Sequence, residues 1–157
     1  MASRGRGGMA DQATQSDPLR VWFRLMRLET RMRMAVSEGL RDIGLSVPQC
    51  DVLTTLTEKE GVSQQDLATR LYVTKGNISG LVDRLVAAGL VERRAIAADK
   101  RQHAIFLTEA GRAAADQAIA CQRRFVARTI GRLPAEQLSA LERLLVATRD
   151  LVRAPKD

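Results

Sequence analysis

The sequence has few of the side chains from which catalytic and metal sites are built. Its 157 residues include one histidine, His103, and two cysteines, Cys50 and Cys121, which lie far apart in the chain. These three side chains cannot supply a local tetrahedral zinc site within one subunit. Nucleophilic and acid–base catalysis need a base near a nucleophile or a pair of carboxylates, and neither is recognisable in the sequence. We therefore predict neither an enzyme nor a bound metal or other cofactor.

The chain also lacks long hydrophobic runs and is short of acidic residues. No apolar stretch is long enough to span a membrane and none of the signal-peptide type follows Met1, so we expect a cytoplasmic protein without membrane contacts. The 25 Lys and Arg residues outnumber the 18 Asp and Glu residues, which gives a net charge of +7 and a pI near 10.4. Such a balance favours a polyanionic partner, and nucleic acid in particular.

The first 16 residues are small, polar and rich in glycine. The run from Arg4 to Gly8 cannot bury enough apolar surface to offset the entropy lost on ordering. We predict a disordered N-terminal arm over residues 1–16.

The centre of the chain has the pattern of a helix-turn-helix unit. Ser63 is followed three residues later by Asp66, a reciprocal capping arrangement that predicts the start of a helix. After a short turn, Thr74 is a good N-cap for a second helix, and Gly89 is a good left-handed stop. Between them, apolar residues recur at helical spacing: Ile78, Leu81, Val82, Leu85 and Val86.

The outer face of this second helix carries short polar side chains and cations, which a helix in a major groove needs for base edges and phosphates. Gly76 and Gly80 each cost up to about 1 kcal/mol in a helix, so their presence here suggests the close approach of a partner. A merely solvated face is the alternative. The DNA contacts predicted for the two helices are Ser63, Gln64, Gln65, Thr74, Lys75, Asn77, Ser79, Gly80 and Arg84.

Two short strands, 90–94 and 103–107, are predicted to follow as a hairpin, with Leu90, Ile105 and Leu107 facing inward. Residues two apart share one side of an extended chain, so Asp99 could hold Arg101 in place for a narrow minor groove. A solvated charge cluster is again the alternative. The predicted wing contacts are Arg93, Arg94, Asp99, Lys100 and Arg101.

Segments 67–71, 74–85, 89–94 and 99–111 resemble the core of the MarR family (multiple antibiotic resistance regulators). The Asp-x-Arg of the wing followed by Leu-Thr-x-x-Gly is specific to this type of protein, and the resemblance is strong over residues 46–111. It implies a homodimeric transcriptional regulator that binds a pseudo-palindromic operator in double-stranded DNA. Such regulators are usually repressors that a small ligand or an oxidant releases.

Long helices are predicted on both sides of this core. Asp17 and Pro18 have the pattern of a helix start, and an apolar stripe follows at heptad-like spacing: Val21, Leu25, Leu28, Met32 and Ala35. Because such helices cannot easily form a core alone, we expect them to pack across a two-fold axis, with recognition helices about 34 Å apart. The predicted fold is mainly α with a small β-hairpin wing. A winged helix-turn-helix domain over 46–108 is flanked by dimerisation helices over 17–45 and 109–153.

A ligand site is predicted beside the short helix that the capping box of Ser46 and Gln49 opens. In the resembled family, effectors commonly bind in a crevice bounded by the first, second and fifth helices. The candidate residues are Cys50, Leu53 and Thr54 on the short helix and Trp22, Phe23, Met26 and Arg27 on the first. A mostly apolar wall with one cation and one hydroxyl suits an aromatic acid or an acyl thioester with an anionic part. Ordinary core is the alternative for each apolar member.

The cysteines leave a second function open. Some members of the family sense peroxides through a cysteine in the first helix paired with tyrosine hydroxyls, but this chain has no cysteine before Cys50 and only one tyrosine, Tyr72. Cys50 and Cys121 are most simply interpreted as buried thiols. A thiol redox sensor on the same fold remains an alternative, as does a winged-helix module for protein or RNA contacts.

Overall fold

The computed structural model describes residues 16–96 and 99–153, and the side chains of all of these except 96 and 99–102. The predicted N-terminal arm therefore lies almost wholly outside the described residues. The elements, in chain order, are α1 (Pro18–Arg41), α2 (Val47–Glu58), β1 (Val62–Ser63), α3 (Gln64–Leu71), α4 (Lys75–Ala87), β2 (Val91–Ile96), β3 (Asp99–Leu107), α5 (Glu109–Arg128), a 3-10 turn (Ile130–Arg132) and α6 (Ala135–Arg153). This order confirms the predicted class, a mainly α fold with a small antiparallel sheet.

The chain divides into two units, of which the first ends at Arg33 within α1. Its helix begins as predicted, because Pro18 occupies the first position and Asp17 Oδ1 accepts a hydrogen bond from the Leu19 N–H at 3.1 Å. Every described residue from 16 to 31 is exposed. The rings of Trp22 and Phe23 meet edge to face, with their centroids 5.0 Å apart. This segment thus presents large apolar side chains at its surface.

The second unit begins at Met34 and contains the hydrophobic core. The largest fully buried side chains come from the end of α1, from α2, α3 and α4, and from the sheet. They are Leu40, Cys50, Val52, Leu53, Leu56, Leu67, Ile78, Val82, Leu85, Val91, Ile105 and Leu107. Among the described residues no polar or charged side chain is buried. The core therefore rests on aliphatic packing rather than on internal ion pairs.

Each predicted helix start in this unit is confirmed. Ser46 and Gln49 form a full capping box at the start of α2, and Ser63 and Asp66 form another at α3. Thr74 caps α4 by accepting a hydrogen bond from the Asn77 N–H at 3.3 Å.

The end of α4 also follows the prediction. Gly89 adopts the left-handed conformation with φ of +69°, and its N–H donates to the Val86 carbonyl while the Leu90 N–H donates to Leu85. This is a Schellman stop, which a residue with a Cβ would strain.

The sheet differs from the predicted two-stranded hairpin by one strand. Its order is β1-β3-β2, all antiparallel, with Val62 opposite Ile105 at one edge. A strand of two residues has no alternation that sequence inspection can detect, which is why β1 was missed. The inward residue of β2 is also Val91 rather than Leu90: Val91 lies opposite Leu107 and is buried, whereas Leu90 is half-buried.

The junction between α4, the sheet and α5 explains the Leu-Thr-x-x-Gly pattern. The Thr108 hydroxyl donates to the Gly89 carbonyl at 2.6 Å and accepts from the Gly111 N–H at 2.9 Å. The Thr108 N–H donates to the Leu90 carbonyl at 3.1 Å, and a Cβ on Gly111 would lie only 1.8 Å from that oxygen. The start of α5 is thereby joined closely to the turn that follows α4. We call this arrangement the Thr108 junction.

The last two helices run nearly as predicted, except that α5 ends at Arg128 and a 3-10 turn follows it. No residue of α6 is buried. None of the helices in the described part of the chain is long and apolar enough to cross a bilayer.

Candidate nucleic-acid interface

Helix α4 separates its side chains into two sets. Its inner face supplies four buried residues, Ile78, Leu81, Val82 and Leu85, while Val86, predicted on the same face, is partly exposed. On the other side Lys75, Asn77 and Arg84 are exposed, and Ser79 is half-buried. The polar set predicted for base and phosphate contacts therefore lies on the side of α4 that the core does not use.

The two glycines of α4 have no packing reason to be glycine within the described residues. A Cβ on Gly76 would meet nothing within 4 Å, and a Cβ on Gly80 would meet only the Arg84 guanidinium at 3.6 Å. Both positions are helical, where alanine is the better helix former. This observation favours the prediction that something outside the chain approaches here.

Ser63, a predicted DNA contact, is engaged at the start of α3. Its hydroxyl donates to Asp66 Oδ2 at 2.8 Å and accepts from the Asp66 N–H at 3.1 Å. The side-chain and backbone hydrogen bonds from Ser63 lower the pKa of the Asp66 carboxyl below its ordinary value. Of its neighbours, Gln64 is half-buried and Gln65 is exposed. Gln65 is thus the most accessible of the three residues predicted for this helix.

Arg93 forms an ion pair that the sequence did not predict. Its guanidinium lies 2.5 Å from Asp83 Oδ1, so the pair joins α4 to the first strand of the wing. The Arg93 side chain is only 27% exposed, whereas that of Asp83 is 59% exposed. No periodicity relates two residues on different elements, which is why the pair was not visible in the sequence. In this structure Arg93 joins the wing to α4, and its predicted contact with DNA stays a prediction.

Arg94 is also held by its own strand. Glu92 and Arg94 share one face of β2 and form an ion pair, and the Arg94 guanidinium lies 4.3 Å from the centroid of the Phe106 ring. The Arg94 side chain nevertheless remains 57% exposed. It is therefore oriented on the wing surface with part of its guanidinium accessible.

The most specific prediction from the sequence concerns Asp99 and Arg101 at the tip of the wing. Asp99, Lys100 and Arg101 belong to β3 by their backbone, but their side chains lie outside the described part of the structure. The pairing of Asp99 with Arg101 and the insertion of Arg101 into a minor groove remain predictions.

The α2 side of the predicted ligand wall is core in this structure. Cys50 and Leu53 are fully buried, and the Gln122 amide of α5 donates to Cys50 Sγ at 3.4 Å. The Thr54 hydroxyl donates to the Cys50 carbonyl of its own helix at 2.9 Å. Cys50 and Leu53 thus fit the alternative interpretation, that they are ordinary core residues. A ligand could reach them only if α2 and α5 moved apart. Their contact with a ligand stays a prediction.

The α1 side of that wall is accessible. Phe23, Met26 and Arg27, all predicted ligand contacts, line a shallow hollow on the surface of α1. Thr30 and Arg31 complete its lining and were not among the predicted ligand contacts. The fourth predicted residue, Trp22, is exposed beside Phe23.

The thiol chemistry of Cys50 can be judged from its surroundings. Burial, followed by the nearby Asp51 carboxylate and Cys121, raises the pKa of the Cys50 thiol from 9.0 to about 11. The reactive thiolate is therefore scarce at neutral pH.

Comparison with known proteins places this geometry in a family. A model of the MarR family matches residues 43–102. The HTH-type transcriptional repressor Rv2887 of Mycobacterium tuberculosis is 34% identical over 138 residues, which cover 88% of this chain and 95% of that protein.

Two solved structures are also similar. The structure of Rv2887 in complex with p-aminosalicylic acid has a TM-score of 0.66 at 32% identity and covers 84% of this chain and 98% of that one. A mutant MarR from E. coli complexed with operator DNA has a TM-score of 0.73 at 26% identity and covers 85% of this chain and 99% of that one.

Proposed function

The chain belongs to the MarR family of transcriptional regulators, and from this premise we propose that it acts as a homodimeric repressor that binds an operator in double-stranded DNA and releases it when a small anionic ligand binds. One observation carries the proposal. Helix α4 buries its aliphatic face and leaves Lys75, Asn77 and Arg84 exposed on the other side. Two glycines lie beside them, and no packing against the described residues requires either to be glycine. That is the arrangement a recognition helix needs in a major groove.

Within this interface the side chains have different tasks. Asn77 and Ser79 can hydrogen-bond to base edges, whereas Lys75 and Arg84 supply charge for phosphates. Arg94 and the wing tip would lie on the adjacent backbone and minor groove. The complex of the E. coli relative with operator DNA supports this role for the shared fold.

Dimerisation is supported by the exposed apolar surface of the terminal helices. Large apolar side chains are exposed on both α1 and α6, among them Leu28 at 54%, Leu144 at 67% and Leu151 at 79%. Exposed large apolar side chains in such number on a helix mark an interface with another protein. A second copy of the chain would cover it and would present two recognition helices about 34 Å apart, which matches successive major grooves.

The proposed release by a ligand is supported by residues of α1. Arg27 lies in the same hollow as Phe23 and Met26, so an anion could pair with its guanidinium while an apolar group packs on the ring. The relative Rv2887 was solved with an aromatic acid, p-aminosalicylic acid, which is a ligand of this chemistry. A thiol sensor that uses Cys50 is disfavoured, because the raised pKa of this thiol leaves little thiolate for an oxidant to attack.

The proposal can be tested with the full-length protein and DNA from the region upstream of its own gene. We expect one dimer to protect a pseudo-palindromic site and p-aminosalicylate or benzoate to release it. Arg27→Gln should raise the ligand concentration needed for release, while Arg33→Gln, whose arginine is paired with Glu29, should not. Equal affinity for this site and for random DNA at about 0.15 M salt would contradict the repressor assignment.

A further inference from the structure

The turn between α3 and α4 contains a residue in an unfavourable backbone conformation. Tyr72, the C-cap of α3, has φ of +54° and ψ of +39°, and in the described part of the chain it is the only residue other than glycine with a positive φ. The turn requires this left-handed conformation, because the Val73 N–H donates to the Ala68 carbonyl at 3.0 Å and so closes the end of α3. Glycine adopts it freely, whereas a bulky side chain is disfavoured there. The tyrosine side chain therefore needs a separate explanation.

Burial does not explain the tyrosine. Tyr72 is 80% exposed and does not belong to the hydrophobic core. Its hydroxyl instead accepts a hydrogen bond from the Arg153 guanidinium at 2.8 Å, across 81 residues of the chain. Arg153 is the last residue of α6. The side chain of Tyr72 thus joins the turn before the recognition helix to the end of α6.

This contact and the Thr108 junction lie at opposite ends of the recognition helix. Tyr72 lies just before α4, whereas the junction attaches the turn after α4 to α5. One attachment leaves a helix free to change its direction about that point, and a second attachment at its other end removes this freedom. The direction of α4 relative to the two long C-terminal helices therefore depends on Tyr72.

We propose that Tyr72 is a positioning residue for operator binding. Its hydroxyl, held by Arg153, fixes the recognition helix relative to α6 and thereby sets the spacing of the two recognition helices in the dimer. This inference rests on the proposed function, because the spacing matters only in a dimer that binds two half-sites. The strain in the turn is then kept for the hydroxyl, which glycine could not supply.

The surroundings of Arg153 favour this role over a direct contact with DNA. Leu151 and Val152 precede it on α6 and are 79% and 80% exposed, so they belong to the apolar surface that the second copy would cover. No residue of α6 is buried in the single chain, so its fixed position would come from that second copy. A helix end that lies in a protein interface is a firm attachment point for the turn, whereas protein–DNA interfaces are strongly polar.

Operators with altered spacing between their half-sites test the positioning role in the full-length protein. Tyr72→Phe removes only the hydroxyl and should weaken binding to the unaltered operator by about three- to tenfold. It should also reduce the preference for that operator over one whose half-sites are one base pair further apart. Arg153→Gln should have the same effects, and the double variant should be no weaker than either single one. Arg149→Gln is the matched control, since Arg149 lies one turn earlier and pairs with Asp150 at 2.8 Å.

Tyr72→Gly separates positioning from a role in folding. Glycine relieves the left-handed turn, so the melting temperature should rise by about 2–4 °C, while operator affinity should fall as it does in Tyr72→Phe. A residue that only supports the fold would move both quantities in the same direction. A lower melting temperature in Tyr72→Gly together with normal operator affinity in Tyr72→Phe would overturn the proposal.

Hydrogen exchange reads the contact in the absence of DNA. The amides of the last turn of α6 should exchange faster in Tyr72→Phe than in the unaltered protein. If the unaltered protein binds no operator, the proposed function fails, and the exchange rates still decide whether Tyr72 holds the end of α6. An unchanged spacing preference in Tyr72→Phe and Arg153→Gln would overturn the positioning role. A salt slope lowered by about one per subunit in Arg153→Gln, with normal binding by Tyr72→Phe, would overturn it in favour of a phosphate contact.

Discussion

At the scale of single residues, the helical glycines Gly76 and Gly111 differ in the space around them. Packing inside the chain requires a glycine at 111, whereas at 76 the described residues leave room for a side chain. A Cβ on Gly111 would lie 1.8 Å from the Leu90 carbonyl oxygen, whereas a Cβ on Gly76 would meet nothing within 4 Å. We therefore expect Gly111→Ala to lower the melting temperature, because backbone must move to make room. Gly76→Ala should raise the free energy of unfolding by up to about 1 kcal/mol through helix propensity and yet weaken operator binding. Thermal melts and DNA titrations check the pair, and a stabilised Gly76→Ala protein with normal DNA affinity would remove Gly76 from the interface.

Asn77 and Lys75 are neighbours on the exposed side of α4 with different predicted tasks. Asn77→Ala should lose about 1–3 kcal/mol of discrimination between the operator and a site altered at the base it contacts. Lys75→Ala should weaken operator and random DNA alike and reduce the slope of log affinity against log salt by about one per subunit. Fluorescence anisotropy at several salt concentrations measures both quantities. If Asn77→Ala weakens both DNAs equally, its side chain contacts phosphate and not a base.

At the scale of elements, the wing tip gives the clearest double-mutant cycle. Arg101→Ala should weaken operator binding and lower the salt slope by about one phosphate equivalent per subunit, with the melting temperature unchanged. Asp99→Ala should cause a smaller loss, since Arg101 would remain but would no longer be oriented. The double variant should lose less than the sum of the two. Strict additivity would mean that the wing tip is only a solvated charge cluster.

The Asp83–Arg93 pair joins the recognition helix to the wing, so its loss should disturb DNA binding more than stability. An exposed ion pair contributes about 0–1 kcal/mol, and we expect a small drop in melting temperature for Asp83→Asn and for Arg93→Gln. Operator affinity should fall further, because α4 and β2 would no longer hold a fixed angle. Arg41→Gln is the control for lost charge, since Arg41 is exposed, lies outside the predicted DNA interface and forms no ion pair among the described residues. If the losses of operator affinity in Asp83→Asn and Arg93→Gln add up fully when the two changes are combined, the two side chains do not act on DNA binding through their ion pair.

The contrast between these elements shows what the sequence can predict. The capping boxes at Ser46 and Ser63 and the stop at Gly89 were predictable, because each depends on residues within four positions of one another. The ion pair of Arg93 was not, since it crosses from a helix to a strand. Strand β1 was not predicted, because two residues are too few to show the alternation of apolar and polar side chains that marks a strand. For Cys50 the sequence left two interpretations open, a ligand wall from its helical face and a buried thiol, and the structure buries it against Gln122 of α5.

At the scale of the whole molecule, the exposed apolar faces of α1 and α6 predict an obligate dimer. Light scattering at micromolar concentration should give twice the mass of the chain. Leu144→Glu introduces a charge at a position that is 67% exposed in the single chain, so it should hardly change the stability of the monomer. In a dimer the same charge would be buried, and it should disrupt the interface. Gln137→Glu adds the same charge at a polar position of the same helix and should leave the dimer intact. A folded monomer of the unaltered protein, or a dimeric Leu144→Glu variant that binds DNA normally, would refute this assignment.

The Thr108 junction has a mechanical consequence. Thr108 and Gly111 join the start of α5 to the turn after α4, so a rotation of α5 about this junction should also rotate α4, the recognition helix. Helix α5 has 20 residues and is about 30 Å long, so a tilt of about 10° moves its far end by about 5 Å. The rise of one base pair is about 3.4 Å. Helix α4 has 13 residues and is about 20 Å long, so a rotation of about 10° about the Thr108 junction moves its far end by about 3.4 Å. Such a rotation would shift the recognition helix by one base pair relative to the DNA.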